Sequence, residues 1–290
     1  FVIHVDIDQA ELDKGHPRTD LKLCVDADDF LVRLLDNEYP GWADWLSYGR
    51  EVLSLLPLDD PEKETGDEFV SPYSFYAELS EMATAEDVII PCSSGGANSV
   101  SMQVIKQKAG QVIITDKGLA SMGYGLSGAI GASMAHPGRR VFLVEGDGGF
   151  AQNLQELATV AVNNLPIKTF IFANNGYGSI RMTQKNYFGG AYLGCDTDTG
   201  LGFPEWTQLF NSFGIKCMTL GRDWNSNQQA HDALRSPEPW GFIVPIDPLQ
   251  TYWPKITSRI TESGSMESNP LHMMSPDLSP EIFDKVTRFL

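Results

Sequence analysis

The sequence predicts an α/β protein built on a doubly wound, mostly parallel sheet with helices on both faces. Short apolar runs alternate with helical patterns from residue 71 onward, which favours this fold class. The runs are largely continuous stretches of apolar residues, as in strands that are covered on both faces. Glycine-rich loops follow several of these runs, at the end of the sheet where ligands bind in such folds.

Residues 1–56 are predicted to be the C-terminal remnant of another, truncated α/β domain. Phe1–Ile7 and Leu21–Val25 are predicted strands, and a helix follows them. Two strands and a helix do not close a core by themselves, so we expect the chain to be the C-terminal part of something longer. Residues 57–70 are rich in Pro, Asp and Glu, which predicts an exposed linker.

The second predicted domain spans residues 71–247. It opens with a helix, since Ser71 and Pro72 suit its N-cap and first turn. Its predicted strands are Val88–Pro91, Val112–Thr115, Val141–Glu145, Ile167–Ala173, Ile215–Leu220 and Phe242–Ile246. Residues 248–290 are expected to form a C-terminal arm rather than a further sheet unit.

The composition restricts the classes of partner. The chain has 38 acidic and 21 basic residues, which give a formal net charge of -17. So acidic a surface disfavours binding to nucleic acid or to an anionic membrane, and no apolar run approaches the ~20 residues that cross a bilayer. The four cysteines form no C-x-x-C pattern, so we expect a reducing, cytoplasmic location.

A glycine-rich loop that contains a carboxylate follows the predicted strand Val141–Glu145. It runs from Gly146 through Asp147 to Gly149, and a helix is predicted from Gln152 to about Asn164. Glycines allow a close approach of the backbone to a ligand, and the N-terminus of a helix favours a phosphate. Because Asp147 would repel a bare phosphate, its presence implies a metal ion, most plausibly Mg²⁺.

Two further loops follow predicted strands. Asn174, Asn175 and Gly176 come directly after Ile167–Ala173, and an Asn side chain and a glycine carbonyl supply neutral oxygen ligands. Either motif alone is typical of an ordinary turn, but consecutive parallel strands bring both to one sheet edge. The loop Ser93–Ala97 follows Val88–Pro91 and is a candidate nest of backbone donors.

The pair Gly146-Asp147-Gly148 and Asn174-Asn175 resembles the thiamine diphosphate motif, G-D-G followed by N-N at the family's usual spacing. From about Ser71 to Ile246 the chain is similar to the C-terminal, diphosphate-binding part of acetolactate synthase-like enzymes, a group that includes pyruvate oxidase and related decarboxylases. Phe1–Ile7 resembles the last strand of that family's middle domain. The resemblance implies the thiamine diphosphate-binding fold, with thiamine diphosphate and Mg²⁺ as cofactors.

The resemblance also implies individual roles. Asp147, Asn174 and the carbonyl of Gly176 would hold Mg²⁺. Met122 would wedge between the two rings and hold the cofactor bent, although a methionine is more often a core residue, and the carbonyl of Ala120 would accept a hydrogen bond from the 4′-amino group. The other expected cofactor-binding residues are Ser94, Gly95, Gly96, Gly146, Gly148, Gly149, Tyr177, Gly178, Ser179 and Ile180.

The implied function is that of a carboligase or decarboxylase, a transferase or lyase acting on a 2-oxo acid such as pyruvate, in a homodimer or homotetramer. The family's activating glutamate lies on an N-terminal pyrimidine-binding domain that nothing in this chain resembles. We therefore expect that domain or a partner subunit to complete the site, and the chain alone to be inactive. One subunit of a split enzyme and a non-catalytic cofactor-binding relic are the alternatives, and FAD binding to the absent region stays open.

Two departures from authentic acetolactate synthases bear on the substrate. Residues 179–185 lack the Gln-Trp that shapes the second-substrate pocket, and Gly95-Gly96-Ala97 replaces Gly-Gln-His. The tail Asn269–Met274 looks more like acetolactate synthase-like proteins of sugar or surface-polysaccharide pathways, where the second carbonyl would belong to a keto sugar. Arg181 is expected either to meet a substrate carboxylate or, more commonly for an arginine, to lie on the surface.

Overall fold

A computed structural model describes most of the chain, namely residues 1–16, 18–39, 41–56, 65–92 and 94–289. The chain divides into two compact units, Phe1–Leu56 and Pro57–Leu290. Most of the predicted linker, residues 57–64, lies outside the described residues, as does Ser93 of the predicted donor nest.

The first unit is a small parallel βαβ arrangement with two further helices. Its elements are β1 (Ile3–Asp6), α1 (Gln9–Leu12), β2 (Leu21–Cys24), α2 (Ala27–Leu35) and α3 (Ala43–Leu55). β1 and β2 pair in parallel, with Ile3 opposite Leu21. Among the described residues of this unit, Leu12 alone is a buried hydrophobic residue, so the unit has almost no core of its own.

The second unit contains a six-stranded sheet in the order β4-β3-β5-β6-β8-β7. Its strands are β3 (Val88–Ile90), β4 (Val112–Ile113), β5 (Val141–Gly146), β6 (Ile167–Ala173), β7 (Lys216–Thr219) and β8 (Trp240–Pro245). Every pair in this sheet is parallel. The predicted parallel sheet is therefore confirmed, and five of its six predicted strands need shifts of one or two residues at their ends.

Helices cover both faces of this sheet, as the fold class predicts. The helices of this unit are, in chain order, α4 (Pro72–Met82), α5 (Gly95–Val104), α6 (Tyr124–Ala135), α7 (Asp147–Phe150), α8 (Leu157–Val162), α9 (Gly178–Tyr187), α10 (Trp206–Ser212), α11 (Gln228–Arg235) and α12 (Pro280–Val286). Apolar residues of α4, α5 and α11 share one core cluster. Those of α6, α8 and α10 share a second cluster.

Alternate residues of the central strands point into these two cores. On β5, Phe142 belongs to the first core and Leu143 to the second. Phe170 and Ile171 divide in the same way on β6. Phe75 of α4 packs edge-on against Phe170, with ring centroids 5.1 Å apart. Both faces of the sheet are thus buried, which accounts for the largely apolar sequences of its strands.

The segment after β5 differs from the prediction of one helix from Gln152 to about Asn164. The helical turn α7 starts at Asp147, directly at the end of the strand, and α8 begins only at Leu157. A 3₁₀ turn, Leu154–Glu156, separates the two. The prediction was wrong because the glycine-rich stretch itself adopts helical turns, which brings its N–H groups closer to the strand end than expected.

Residues after β8 add no strand to the main sheet. They contain an antiparallel hairpin of β9 (Ser258–Ile260) and β10 (Met266–Ser268), then α12. Ser275 and Lys255 exchange two backbone hydrogen bonds across this segment, of 2.8 and 3.0 Å. Among the described residues, no helix is long and apolar enough to span a bilayer.

Candidate cofactor site

A cavity of about 250 Å³ lies at the carboxyl ends of β3, β5 and β6. This is the edge at which parallel α/β sheets bind ligands. Every residue that the sequence analysis assigns to cofactor binding lines this cavity. The loops after three different strands, the turn before α6 and the C-terminal segment thus meet around one space.

Three helices start at the wall of the cavity. α5 begins at Gly95, α7 at Asp147 and α9 at Gly178, each directly after a strand or its loop, and none has a side-chain hydrogen bond at its N-cap. The first N–H groups of a helix lack intrahelical partners and carry a partial positive charge. This end of the sheet is therefore suited to an anion such as a phosphate.

The Asp147 carboxylate is held by backbone N–H groups of two loops. Its Oδ1 accepts a hydrogen bond of 2.7 Å from Gly148, and its Oδ2 accepts bonds of 3.0 Å from Asn174 and 3.3 Å from Gly176. Burial raises the pKa of Asp147 to about 6, although the N–H groups oppose this shift. The contacts fix the carboxylate and tie the G-D-G loop to the N-N-G loop.

Asn174 and Gly176 complete a set of oxygen donors beside this carboxylate. The Asn174 side chain is nearly buried, lines the cavity and makes no hydrogen bond to the described residues. The Gly176 carbonyl accepts one bond, of 3.1 Å, from the N–H of Gly178, which leaves it a second lone pair. No group of three or more His, Cys, Asp or Glu suited to a metal occurs within the described ranges.

Close packing explains two of the glycines in these loops. A Cβ at Gly148 would collide with the ring of Tyr177, and one at Gly176 would collide with the carbonyl oxygen of Cys195. The two loops therefore approach each other, and a neighbouring loop, more closely than any larger residue allows.

Ala120 and Met122 lie together on the turn that precedes α6. Ala120 has φ 55°, in the left-handed region, which a non-glycine residue adopts at a cost of roughly 1 kcal/mol or more. Such strain is concentrated at functional sites. Gly123 follows with φ 89° and caps α6, and the Met122 side chain is 38% exposed. Met122 is thus a cavity-lining residue and not a core methionine.

Glu145 lines the cavity, but sequence analysis gave it no role. It is 2% exposed, and its Oε2 makes no hydrogen bond within the described part of the chain. Burial raises its pKa to about 7, opposed by nearby N–H groups of Gly123, Gly125 and Leu126. The sequence signal that would have identified Glu145 is a carboxylate near the carboxyl end of an otherwise apolar strand.

Three other lining residues also escaped sequence analysis, namely Cys92, Phe172 and Tyr252. Tyr252 comes from the segment after β8, far along the chain from the loops that it contacts. No periodic pattern or motif marks it, so only the folded structure identifies it.

Arg181 fits neither expectation from the sequence. It is 7% exposed, so it is not a surface residue, and its guanidinium group is taken up by three protein oxygens. It donates to the carbonyl of Pro248 (2.6 Å), to Oδ2 of Asp196 (3.3 Å) and to the carbonyl of Asn175 (3.3 Å). Arg181 thus joins three loops near the cavity, and it does not line the cavity itself.

Comparison with known proteins decides the family. The family described as thiamine pyrophosphate enzyme, C-terminal TPP binding domain, matches residues 94–240, a span that holds all of the loops described above except that of Tyr252. The chain belongs to the thiamine pyrophosphate enzymes. The predicted family is therefore confirmed, and so is thiamine diphosphate as the cofactor that it binds.

Among the thiamine pyrophosphate enzymes, this one is similar to acetolactate synthase large subunits. It is 33% identical over 244 residues to that of Porphyra purpurea, a match that covers 82% of this chain and 40% of the relative. It is 30% identical over 268 residues to the isozyme 2 large subunit of Escherichia coli (strain K12), covering 92% of this chain and 47% of the relative. The chain spans less than half the length of these relatives.

A solved structure agrees with the fold. The thiamine diphosphate-dependent 4-hydroxybenzoylformate decarboxylase of Rhodococcus jostii RHA1 superposes with a TM-score of 0.63 at 20% sequence identity. The match covers 84% of this chain and 44% of that protein. The predicted thiamine diphosphate-binding fold is therefore confirmed.

Proposed function

We propose that this chain is the diphosphate- and Mg²⁺-binding half of a carboligase or decarboxylase that acts on a 2-oxo acid such as pyruvate. The observation that carries the proposal is the Asp147 carboxylate, fixed between the G-D-G and N-N-G loops at the wall of one cavity. The family to which the chain belongs identifies the cofactor as thiamine diphosphate. The acetolactate synthase relatives favour a 2-oxo acid as the donor substrate.

The residues of the cavity fit a Mg²⁺ ion. Asp147 would contribute a carboxylate oxygen, Asn174 an amide oxygen and Gly176 a carbonyl oxygen, all of the hard type that Mg²⁺ prefers. Asp147 has no cationic side chain as an ion-pair partner among the described residues, and burial raises its pKa. A divalent ion would compensate this buried negative charge and the charge of the diphosphate.

The N-termini of α5, α7 and α9 would bind the diphosphate through their free N–H groups. Met122, exposed toward the cavity, would pack between the rings of the cofactor and hold it bent, and the strained Ala120 would present its carbonyl to the 4′-amino group. When bound, thiamine diphosphate supplies the electron sink that accepts electrons from the substrate as CO₂ leaves.

We propose that the site is completed from outside these residues, by a pyrimidine-binding domain or a partner subunit in a homodimer or homotetramer. The chain matches only 40–47% of the length of the quoted relatives. The part of the cofactor farthest from the diphosphate would then meet residues that this chain does not supply.

Titration calorimetry with thiamine diphosphate and Mg²⁺ tests this function. The unsubstituted chain should bind the pair, and Asp147→Ala should weaken binding by about 100-fold, since a buried, hydrogen-bonded charge that meets a cation is worth several kcal/mol. Asp198→Ala is the matched control, because Asp198 is exposed in a 3₁₀ turn away from the cavity. Equal affinities of the unsubstituted chain and Asp147→Ala would refute the metal assignment.

A further inference from the structure

Tyr252 lies directly over the loop that begins α5. A Cβ at Gly96 would collide with Cζ and the hydroxyl oxygen of Tyr252. The tyrosine ring therefore fills the space that any side chain at position 96 would need. Gly96 is thus required by the close approach of Tyr252, and the two residues form one feature of the cavity wall.

The chain segment that carries Tyr252 is held at both ends. The Tyr73 hydroxyl of α4 accepts a hydrogen bond of 2.8 Å from the N–H of Trp253 and donates one of 2.7 Å to its carbonyl. On the other side, Arg181 donates to the carbonyl of Pro248. Tyr252 is therefore fixed in place before any ligand binds, which lowers the entropic cost of using it.

The Tyr252 hydroxyl has an unused hydrogen-bonding capacity inside the cavity. The residue lines the cavity and makes no hydrogen bond to the described residues. Burial raises the pKa of the Tyr252 hydroxyl above its usual range, and Tyr73 and Asp147 add smaller contributions in the same direction. A tyrosine hydroxyl carries a proton that it can donate, and this one lies at Gly96, in the first turn of α5. It is therefore available as a donor to an anion bound there.

We propose that Tyr252 anchors the cofactor by donating a hydrogen bond from its hydroxyl group to a diphosphate oxygen. The proposal rests on the proposed function, since it assumes that the diphosphate occupies the space between α5 and Asp147. At position 96 this chain has glycine, so the loop offers only backbone groups there. A side chain from the C-terminal segment, 156 positions away, then supplies a donor at the place where Gly96 has no side chain.

Tyr252→Phe tests the hydroxyl alone, because it keeps the ring over Gly96. Calorimetry with Mg²⁺ and inorganic pyrophosphate, and separately with Mg²⁺ and thiamine diphosphate, should show about 10-fold weaker binding of both probes. Tyr192→Phe is the matched control, since Tyr192 does not line the cavity. It should leave both affinities unchanged.

Gly96→Ala tests the position of the ring. The added methyl should displace Tyr252 and thereby remove the same hydrogen bond, so Gly96→Ala and Gly96→Ala/Tyr252→Phe should bind pyrophosphate with the same affinity. Independent, multiplying losses would show that the two residues are not coupled and would overturn the proposal.

The outcomes separate this proposal from the proposed function. If the unsubstituted chain and Tyr252→Phe bind both probes equally well, Tyr252 is not an anchor, and the diphosphate-binding function stands. If Tyr252→Phe weakens thiamine diphosphate but not pyrophosphate, its partner is not the diphosphate, and the proposal fails. If the unsubstituted chain binds neither probe, both proposals fail.

Discussion

Two side chains at the ends of adjacent strands dominate the chemistry of the cavity. Asp147 follows β5, and Asn174 follows β6. One is an acidic, buried side chain that accepts three hydrogen bonds from backbone N–H groups, whereas the other is neutral and makes no hydrogen bond to the described residues. A metal ion would thus gain one oriented anionic ligand and one ligand that loses no existing contact.

Met122 provides a test of where the organic part of the cofactor lies. Met122→Ala should weaken thiamine diphosphate binding by about 5-fold, the loss of roughly 1 kcal/mol of apolar contact. Binding of Mg²⁺ and pyrophosphate should not change, because pyrophosphate has no rings. Calorimetry with both probes measures this difference, and Met122→Leu should restore most of the affinity.

Glu78 should make the stability of the chain depend on pH. Burial raises its pKa from 4.5 to about 7, and a smaller effect of the nearby Trp224 side chain opposes this shift. The unfolded chain therefore releases the Glu78 proton at a lower pH than the folded chain does. The resulting contribution to stability is complete below pH 4.5 and disappears as the pH rises through 7.

Comparison with Glu78→Gln isolates this contribution, because other titrating groups are common to both proteins. Between pH 4.5 and 7.5, the free energy of unfolding of the unsubstituted chain should fall by about 1 kcal/mol relative to Glu78→Gln, a value reduced for the partial exposure of Glu78. Urea titrations at several pH values measure this difference. Parallel pH profiles of the two proteins would contradict the assignment.

At the scale of the elements, helix α10 packs so closely on β8 that a glycine is required between them. A Cβ at Gly241 would lie 2.8 Å from three ring atoms of Phe210, which is completely buried. Gly241→Ala should therefore destabilise the chain by about 2 kcal/mol, because an overpacked core must shift. Urea unfolding measures this loss.

Gly131→Ala is the matched control for that substitution. Gly131 is exposed in α6, and a Cβ there would meet nothing within 4 Å. An alanine should stabilise the helix by up to about 1 kcal/mol, since it restricts the unfolded chain more than glycine does. Effects of the same sign for the two substitutions would contradict this account of the packing.

The elements also show what the sequence can predict. β6 matches its predicted bounds, Ile167–Ala173, because a largely apolar strand flanked by Pro166 and Asn174 has well-marked ends. Loops that follow strands were predictable as a group, since parallel strands bring their ends to one edge. The break between α7 and α8 was not, because the glycine-rich stretch itself forms a helical turn and a 3₁₀ turn follows it.

Long-range contacts account for most of the remaining differences. Tyr252 reaches the cavity through the folding of the segment after β8, and no local pattern encodes that path. Arg181 was expected in one of two environments and lies in a third, since its three acceptors come from three separate loops. Such hydrogen-bond partners are determined by tertiary structure, so the residue pattern of one helix does not predict them.

At the scale of the molecule, the two units differ greatly in how much they bury. The second unit holds two apolar cores, whereas the first has a single buried hydrophobic residue among those described. Aromatic and aliphatic side chains of α2 and α3 are largely exposed, among them Leu35, Trp45 and Leu53. A two-stranded sheet with such helices is marginal by itself.

The proposed half-site predicts the activity of the chain. With thiamine diphosphate, Mg²⁺ and pyruvate, the chain alone should release CO₂ no faster than a mixture without protein, because the proposal places the activating glutamate on another domain or subunit. A coupled CO₂ assay, run beside an intact acetolactate synthase, measures this. Robust decarboxylation by the chain alone would contradict the proposal that another domain or subunit completes the site.

The position of Arg181 links the proposed ion site to the segment that carries Tyr252. Its guanidinium group donates both to the carbonyl of Asn175, next to the proposed metal ligands, and to the carbonyl of Pro248, at the base of that segment. Occupancy of the ion site should therefore stabilise the position of that segment further, and the segment should in turn favour occupancy, by the reciprocity that governs any pair of linked equilibria. Slower amide exchange near residue 250 on addition of magnesium and cofactor would be the outward sign of this thermodynamic coupling.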